Sequence, residues 1–571
     1  MAKFYTDEKN ALILISLLKA HGIRKVVASP GATNVSFVGS IQNDNFFQVY
    51  SSVDERSAAY IACGLAYESQ EPVIISCTGA TASRNYLPGL TEAYYRKLPI
   101  LAITSSQIVS RVGHNVPQVI DRSQIPRDVA KFSTTLPVVK DKDDEWDCMI
   151  KVNSALLELT RSGGGPVHIN LPTVFSQKFE TERLPISRVI NRYTYKHKFP
   201  DLNERVAIFV GSHKPFSESE TAIIDEFCAI YDAVVFCDHT SGYSGKYKVL
   251  YSLVGSQDML SSANDKPDIL IHLGEISGDY SSISIVGPEI WRVSEDGEIR
   301  DPYRRLKNVF EVDESYFFSQ YTQGMETQKR TDYLDSLRFK LNSIKSKIPE
   351  LPFSNIWVAS KLSQVLPANS VIHFGILNSL RSWNFFELPD SVESTANVGG
   401  FGIDGGLSSL VGASLHDSSK LYFIAIGDLA FFYDMNVLGN RHVPSNIRIL
   451  LINNGKGTEF RQYNHSAISA AGHFGKQSRS LVKNYVEDLG FKYMSANNKD
   501  EFYDVYTIFV NRDEQCRPIV FEVFTDSDDE SNALELIRSI KNESGKVARN
   551  MAKRLVGEVG VKSIRRILKK T

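Results

Sequence analysis

Residues 421–454 read LYFIAIGDLAFFYDMNVLGNRHVPSNIRILLINN, and this stretch decides the fold. LYFIAI and IRILLI are short unbroken apolar runs, the pattern of strands covered on both faces of a parallel sheet. The first ends in Gly427-Asp428 and the second in Asn453-Asn454. Asp428 and Asn454 stand 26 positions apart, the length of one strand–helix–strand crossover. That spacing puts an acidic oxygen and an amide oxygen side by side at the carboxyl edge of one sheet. A hard cation such as Mg²⁺ takes about six oxygens at ~2.0–2.1 Å, with phosphate and water completing the shell around one or two protein carboxyl groups. Asp428 supplies charge, Asn454 a neutral oxygen, and the backbone carbonyl of Lys456 in NNGKG a third donor. Gly427 and the amides of Leu429 and Ala430 open a helix towards a diphosphate. The plainer alternative is a helix cap at Asp428 and a turn at Asn454. Both pairs together, at strand ends and at this spacing, favour the cation.

The same grammar runs outward. Residues 1–185 alternate helix and strand signals: an amphipathic helix over 7–22, KVVASPGAT, FFQVYSSVDE, a helix from Arg56 to Ser69, PVIISCTGATAS and PILAITSS. Residues 203–345 hold AIFVGSHKP, AVVFCDHTSG and DILIHLGEISG, again strands ending in glycine. VGSHKP lacks a full GxGxxG, so it is a weak sign of a nucleotide or flavin. Residues 353–545 repeat the first block's plan with SVIHFG, LYFIAIGD, IRILLINN and PIVFEVFTD. The fold class is therefore α/β, with three doubly wound parallel-sheet domains. RVINRYTYKHKFPD and the stretch 329–347 read as linkers.

Composition sets the outer limits. The 571 residues exceed one core, and a net charge of -2 gives no pull towards nucleic acid. Six cysteines show no CxxC pair and sit largely in apolar runs, which points to free buried thiols and a cytoplasmic protein. No run reaches the roughly 18 apolar residues of a membrane span. Residues 546–571 carry nine Lys or Arg against one Glu, with Val547, Met551 and Leu555 at helical spacing. Two readings stand for this tail: weak contact with an anionic membrane surface, or a helix docked on the protein itself.

Gly427, Asp428, Asn453 and Asn454 match the G-D-x(24–27)-N-N signature of the thiamine diphosphate (ThDP) enzymes, and the chain resembles that family. Leu429 in place of the usual third glycine, with NVGGFGIDGG, GDLAFFYDMN, SPGAT, DERSAAYIACGLA and CTGATASRNYLPGLTEAYYRKLPILAIT, is most similar to the branch of 2-succinyl-5-enolpyruvyl-6-hydroxy-3-cyclohexene-1-carboxylate (SEPHCHC) synthases of menaquinone biosynthesis. The resemblance implies pyrimidine-binding, central and diphosphate-binding domains in that order, with ThDP and Mg²⁺ as cofactors. It implies Glu55 as the acid that shares a proton with the cofactor, where a first-turn capping role is the alternative. It also implies Gly31, Gly402 and Ile403 beside the cofactor, Gln118 over its reactive ring with His114 and Asn115 close by, and a homodimer or dimer of dimers. Asp404 serves a turn.

Where the branch carries substrate-binding arginines, this chain has Thr33, Gln107 and Val398, while Asn378 and Arg381 in LNSLRSW remain as substrate candidates. Guanidinium groups suit carboxylates, so the resemblance implies that their loss removes much of the charge needed for 2-oxoglutarate and isochorismate, and it implies with this a carboligase with altered substrates: a 2-oxo acid donor and a carbonyl-type acceptor. SEPHCHC synthase itself, a simple 2-oxo acid decarboxylase and an inactive scaffold are the alternatives, in that order.

Overall fold

The computed structural model describes residues 4–122, 125–257, 265–326, 330–455, 479–514 and 516–540. The chain divides into two compact units: 1–194 with 297–309, and 195–296 with 310–571.

The first unit holds a six-stranded, fully parallel sheet of Lys25–Ala28, Gln48–Ser51, Val73–Cys77, Ile100–Gln107, Phe132–Thr135 and Val167–Thr173. Counted along the chain, its order is second–first–third–fourth–sixth–fifth. The connections leave in opposite directions between Lys25–Ala28 and Val73–Cys77, the point where such sheets open a crevice at their carboxyl edge. Separate cores cover the two faces, as the unbroken apolar strands require. The helix Glu55–Ser69 starts one residue before its expected position, because Asp54 is the cap and accepts the Ser57 amide at 2.8 Å. Its buried face is Ala58, Ala59, Ala62, Cys63 and Ala66. Small residues there let the helix Leu87–Tyr95 lie against it; a Cβ on Gly89 would fall 2.4 Å from the Ala59 Cβ.

The second unit holds two sheets. The strands Val206–Val210, Val235–Cys237, Lys248–Leu250, Ile269–Leu273 and Glu289–Val293 pair in parallel, with the first strand between the second and fourth. The strands Ser370–Phe374, Val392–Ala396, Leu421–Gly427, Ile447–Asn453, Lys492–Ala496 and Ile519–Phe524 form a parallel sheet with the same second–first–third–fourth–sixth–fifth order as the first unit. The duplication read from the sequence is thus a duplication of topology. In this sheet the reversal falls between Ser370–Phe374 and Leu421–Gly427, so Asp428 leaves the sheet at its switch point.

The two stretches read as linkers carry packed residues, and the first, 188–201, contains the boundary between the units at 194/195. In 329–347 the helix Asp332–Lys345 buries Tyr333, Leu334, Leu337, Leu341 and Ile344, an apolar stripe at helical spacing. Within 188–201, Ile190 is fully buried and Arg188 pairs with Asp301 at 2.7 Å. Cys63, Cys77, Cys148, Cys228 and Cys237 are free and buried, whereas Cys516 is exposed. No helix among the described residues is long and apolar enough to cross a membrane. The basic tail 546–571 lies outside the described residues.

Candidate active site

The opening pair of strands meets as the spacing requires. Gly427 is in register with Ile452, which sets Asp428 beside the end of Ile447–Asn453. Asp428 is 6% exposed; its Oδ1 accepts the Leu429 amide and its Oδ2 the Gly455 amide, each at 2.8 Å. Gly455 has φ +68°, a left-handed conformation that suits glycine, and its amide also reaches Asn453 Oδ1 at 3.1 Å. Asn453 in turn donates to Glu522 Oε1 at 2.7 Å, and the Tyr493 hydroxyl donates to Glu522 Oε2 at 2.8 Å.

Burial pushes the Asp428 carboxyl up to about 6, against the two amides that hold it down. No lysine or arginine pairs with it among the described residues. A desolvated carboxylate without a counter-charge is what a bound cation would complete. No group of three or more His, Cys, Asp or Glu that could hold a metal ion is found among the described residues. Asn454 is half-buried beside Asp428, and Lys456 lies outside the described residues. Open space stands where side chains on Gly399, Gly400 and Gly427 would project, leaving room for a cofactor. The Leu429 amide, read as a diphosphate donor, is engaged by Asp428 itself, and Ala430 is half-buried one residue on.

The loop before the helix Gly406–Ser414 is braced from both sides. Asn397 Nδ2 donates to the Gly405 carbonyl at 3.2 Å and to Ser409 Oγ at 2.8 Å. Buried Asp434 accepts the Ser408 amide and hydroxyl at 2.7 and 2.6 Å, a tie no local pattern announced. Ile403 is half-buried within this loop, and a Cβ on Gly402 would meet Asp404 Oδ1 at 2.5 Å, so the Asp404 carboxylate folds over its own turn.

In the first unit Glu55 is the first helical residue and half-buried. Asp54 does the capping, so the Glu55 carboxylate is available to a side chain, and its Oε2 accepts from Asn85 Nδ2 at 3.1 Å. Tyr50, Val53, Tyr60 and Ile61 are exposed on the same strand-to-helix corner, Val53 by 88%. Gly31 closes against Thr78, whose Cγ2 would be 2.1 Å from a Cβ there, and its amide donates to Asn34 Oδ1 at 2.8 Å.

His114, Asn115 and Gln118 are exposed on one loop, with Asn115 and Gln118 at φ +54° and +63°. Gln107 ties this loop down: its Nε2 donates to the Pro117 carbonyl at 3.3 Å, and its Oε1 accepts from Arg111. Thr33 and Val398, read as substrate positions, face the interior instead. Thr33 is 2% exposed with its hydroxyl on the Ser105 carbonyl, and Val398 is 2% exposed against Gly278. Short uncharged side chains at these positions are drawn into the core, where an arginine would have to reach solvent or an anion. Asn378 and Arg381 line a cavity together with Tyr280, Glu530 and Arg538. The Arg381 guanidinium stacks 4.0 Å from the Tyr280 ring centroid. Glu530 accepts from Thr525 Oγ1 at 2.7 Å and the Asn355 amide at 2.9 Å, and burial pushes it up to about 7.

The VGSHKP edge of the middle sheet opens on a crevice that includes Glu220, Glu275, Glu295, Asp296, Asp313 and Glu314. Six acids against His213, Lys214 and Arg292 make a poor seat for a nucleotide diphosphate.

Comparison with known proteins agrees with this arrangement. Residues 9–125 match the family described as thiamine pyrophosphate enzyme, N-terminal TPP binding domain. A 2-succinyl-5-enolpyruvyl-6-hydroxy-3-cyclohexene-1-carboxylate synthase of Phocaeicola vulgatus is 32% identical over 95% of this chain and 100% of its own length. The protein of that name from Bacteroides thetaiotaomicron is 31% identical over 93% and 98%, and the one from Flavobacterium johnsoniae 27% over 90% and 95%. With a fold of three parallel sheets and an acid–amide pair at the carboxyl edge of the last, the chain is a ThDP-dependent enzyme that forms or breaks carbon–carbon bonds, its cofactor accompanied by a divalent metal, and it belongs to the SEPHCHC synthase family.

Proposed function

We propose that this enzyme decarboxylates a 2-oxo acid and transfers the remaining acyl unit to a carbonyl-type acceptor, with substrates altered from those of its relatives. The observation that carries the reading is the desolvated Asp428 carboxylate, 2.8 Å from the Gly455 amide and without a cationic partner among the described residues. Asp428, Asn454 and the Lys456 carbonyl would hold Mg²⁺ and through it a diphosphate. Bound ThDP supplies an electron sink for the electron pair left when CO₂ departs. Glu55 holds and returns a proton at its carboxyl, and Asn85 fixes the orientation of that carboxyl. Gln118 and His114, on the loop fastened by Gln107, would act beside the reacting groups.

Glu55 is half-exposed in the single chain, beside Val53 and Tyr60, although its chemistry needs a dry setting. A second copy covering this corner would exclude the water, so the working enzyme is at least a homodimer. Free buried thiols accord with a cytoplasmic setting.

Thr33 and Val398 carry no charge and face inward, and the Gln107 amide is spent on its own loop. These positions offer a second donor carboxylate no partner, which favours a monocarboxylate such as pyruvate. Identity of 32% over the full length of a SEPHCHC synthase supports a second reading, that this chain catalyses the reaction named for its relatives. CO₂ release from a panel of 2-oxo acids, with ThDP and Mg²⁺ and with or without acceptors, tests the proposal; no release from any of them would reject it.

A further inference from the structure

Arg122 was singled out by no pattern in the sequence, yet it is 6% exposed at the carboxyl edge of the first sheet. Its Nη2 donates to Asn170 Oδ1, while Nε and Nη1 are buried with no hydrogen-bond partner among the described residues. Among the described residues no carboxylate pairs with it, and burial lowers its pKa to about 10. A guanidinium presents five N–H donors in a planar fork, and leaving part of that fork unmet in a dry place is unfavourable.

The surroundings repeat the imbalance. A Cβ on Gly79 would lie 3.4 Å from Arg122 Nη1, 3.2 Å from the Ser105 carbonyl and 3.3 Å from the Gln118 carbonyl, so these groups converge where the glycine leaves space. The Ser105 hydroxyl is buried with no hydrogen-bond partner among the described residues. The Arg122 fork and the Ser105 hydroxyl thus present buried donors at one edge whose hydrogen-bonding capacity the described residues do not fill. A carboxylate, with two oxygens in one plane, is their complement.

We infer that Arg122, with Ser105, forms a binding site for a carboxylate on the acceptor substrate. The inference rests on the decarboxylation-and-transfer reading, since the donor's own carboxylate must depart as CO₂. A guanidinium gripping that group would stabilise the ground state and slow its loss, so a fixed cation at this edge serves the other substrate. Thr33, whose hydroxyl lies on the Ser105 carbonyl, occupies the same edge without charge.

Calorimetric titration of the ThDP- and Mg²⁺-loaded enzyme with glutarate, an unreactive carboxylate probe, tests the site, with dimethyl glutarate as the neutral control. Glutarate should bind the wild type and the ester should not. Arg122→Gln should weaken glutarate at least tenfold, Arg122→Lys should fall between the two, and Ser105→Ala should weaken it several-fold. Equal glutarate affinity in the wild type and Arg122→Gln, or no glutarate binding to the wild type, would overturn the inference. So would a parallel loss of ThDP affinity in Arg122→Gln, which would mark Arg122 as a structural residue. A wild type that binds glutarate through Arg122 yet releases no CO₂ from any 2-oxo acid keeps the site and sinks the reading of function instead.

Discussion

Asp428 accepts the Gly455 amide at 2.8 Å, and that contact joins the ends of two neighbouring parallel strands, the first of which borders the switch point of their sheet. One residue before Gly455 stands Asn454, so the loop that this contact fixes also fixes the second metal candidate. Asp428→Ala removes both the anchor and the charge. ThDP affinity in the presence of Mg²⁺ should fall by more than about 100-fold, beyond the 10- to 100-fold typical of losing an outer-shell partner. Calorimetry reads this directly, and unchanged affinity would reject the assignment.

Glu55→Gln should bind ThDP as the wild type does and lose turnover by about 10²- to 10⁴-fold, the range for removing a positioned acid–base group. Asn85→Ala leaves the carboxyl in place but frees its orientation, so about a tenfold loss of kcat is expected, with the pH profile altered and ThDP affinity kept. Near-normal turnover in Glu55→Gln would mean that another residue handles the proton.

Glu530 gives a pH signature. Its folded carboxyl keeps a proton up to about pH 7, whereas the unfolded one keeps it only to about 4.5. Between these values the folded state binds more protons, so this group's contribution to stability falls as pH rises through that window. Glu530→Gln keeps acceptors for Thr525 and Asn355 without the charge. It should match the wild type near pH 4.5 and exceed it at pH 8 by about 1–3 kcal/mol, less than the full linkage figure because the carboxyl is only half-buried at its cavity. Thermal midpoints of the two proteins across pH 4.5–8 check this; parallel curves would contradict it.

Much of this was legible in the sequence because the signals are local. Unbroken apolar strands ending in Gly-Asp and Asn-Asn announced a parallel sheet and its edge, and the repeated plan of the first and last blocks returns as one shared strand order. Glu55 was visible as a first-turn acid, but the residue that orients it, Asn85, lies 30 positions away and has no signature of its own. Arg122 and Glu530 were missed for the same reason, since burial of a charge is a property of the packed chain. Thr33 and Val398 were marked only by contrast with a family pattern, and that contrast says what is missing without saying which way the replacement points. Position 456 and the tail carry readings that lie outside the described residues.

The exposed corner around Glu55 bears on assembly. Val53 is 88% exposed and Tyr60 47%; a second copy seated there should be dislodged by charge. Val53→Glu with Tyr60→Glu should shift sedimentation from dimer or larger towards monomer and lower turnover in step. A variant that stays assembled and active would place the interface elsewhere.

The donor preference reaches the central claim most directly. Each charged hydrogen bond lost is worth roughly 1.5–3 kcal/mol, so a pocket without one or two guanidinium partners should discriminate on the order of tenfold to a thousandfold. The measurement is kcat/KM for pyruvate and for 2-oxoglutarate on the same ThDP- and Mg²⁺-loaded enzyme, with isochorismate present as acceptor. Faster decarboxylation of pyruvate, with no product from isochorismate, is the predicted result. A clear preference for 2-oxoglutarate with product formed from isochorismate would contradict the altered-substrate account and give this chain the reaction named for its relatives.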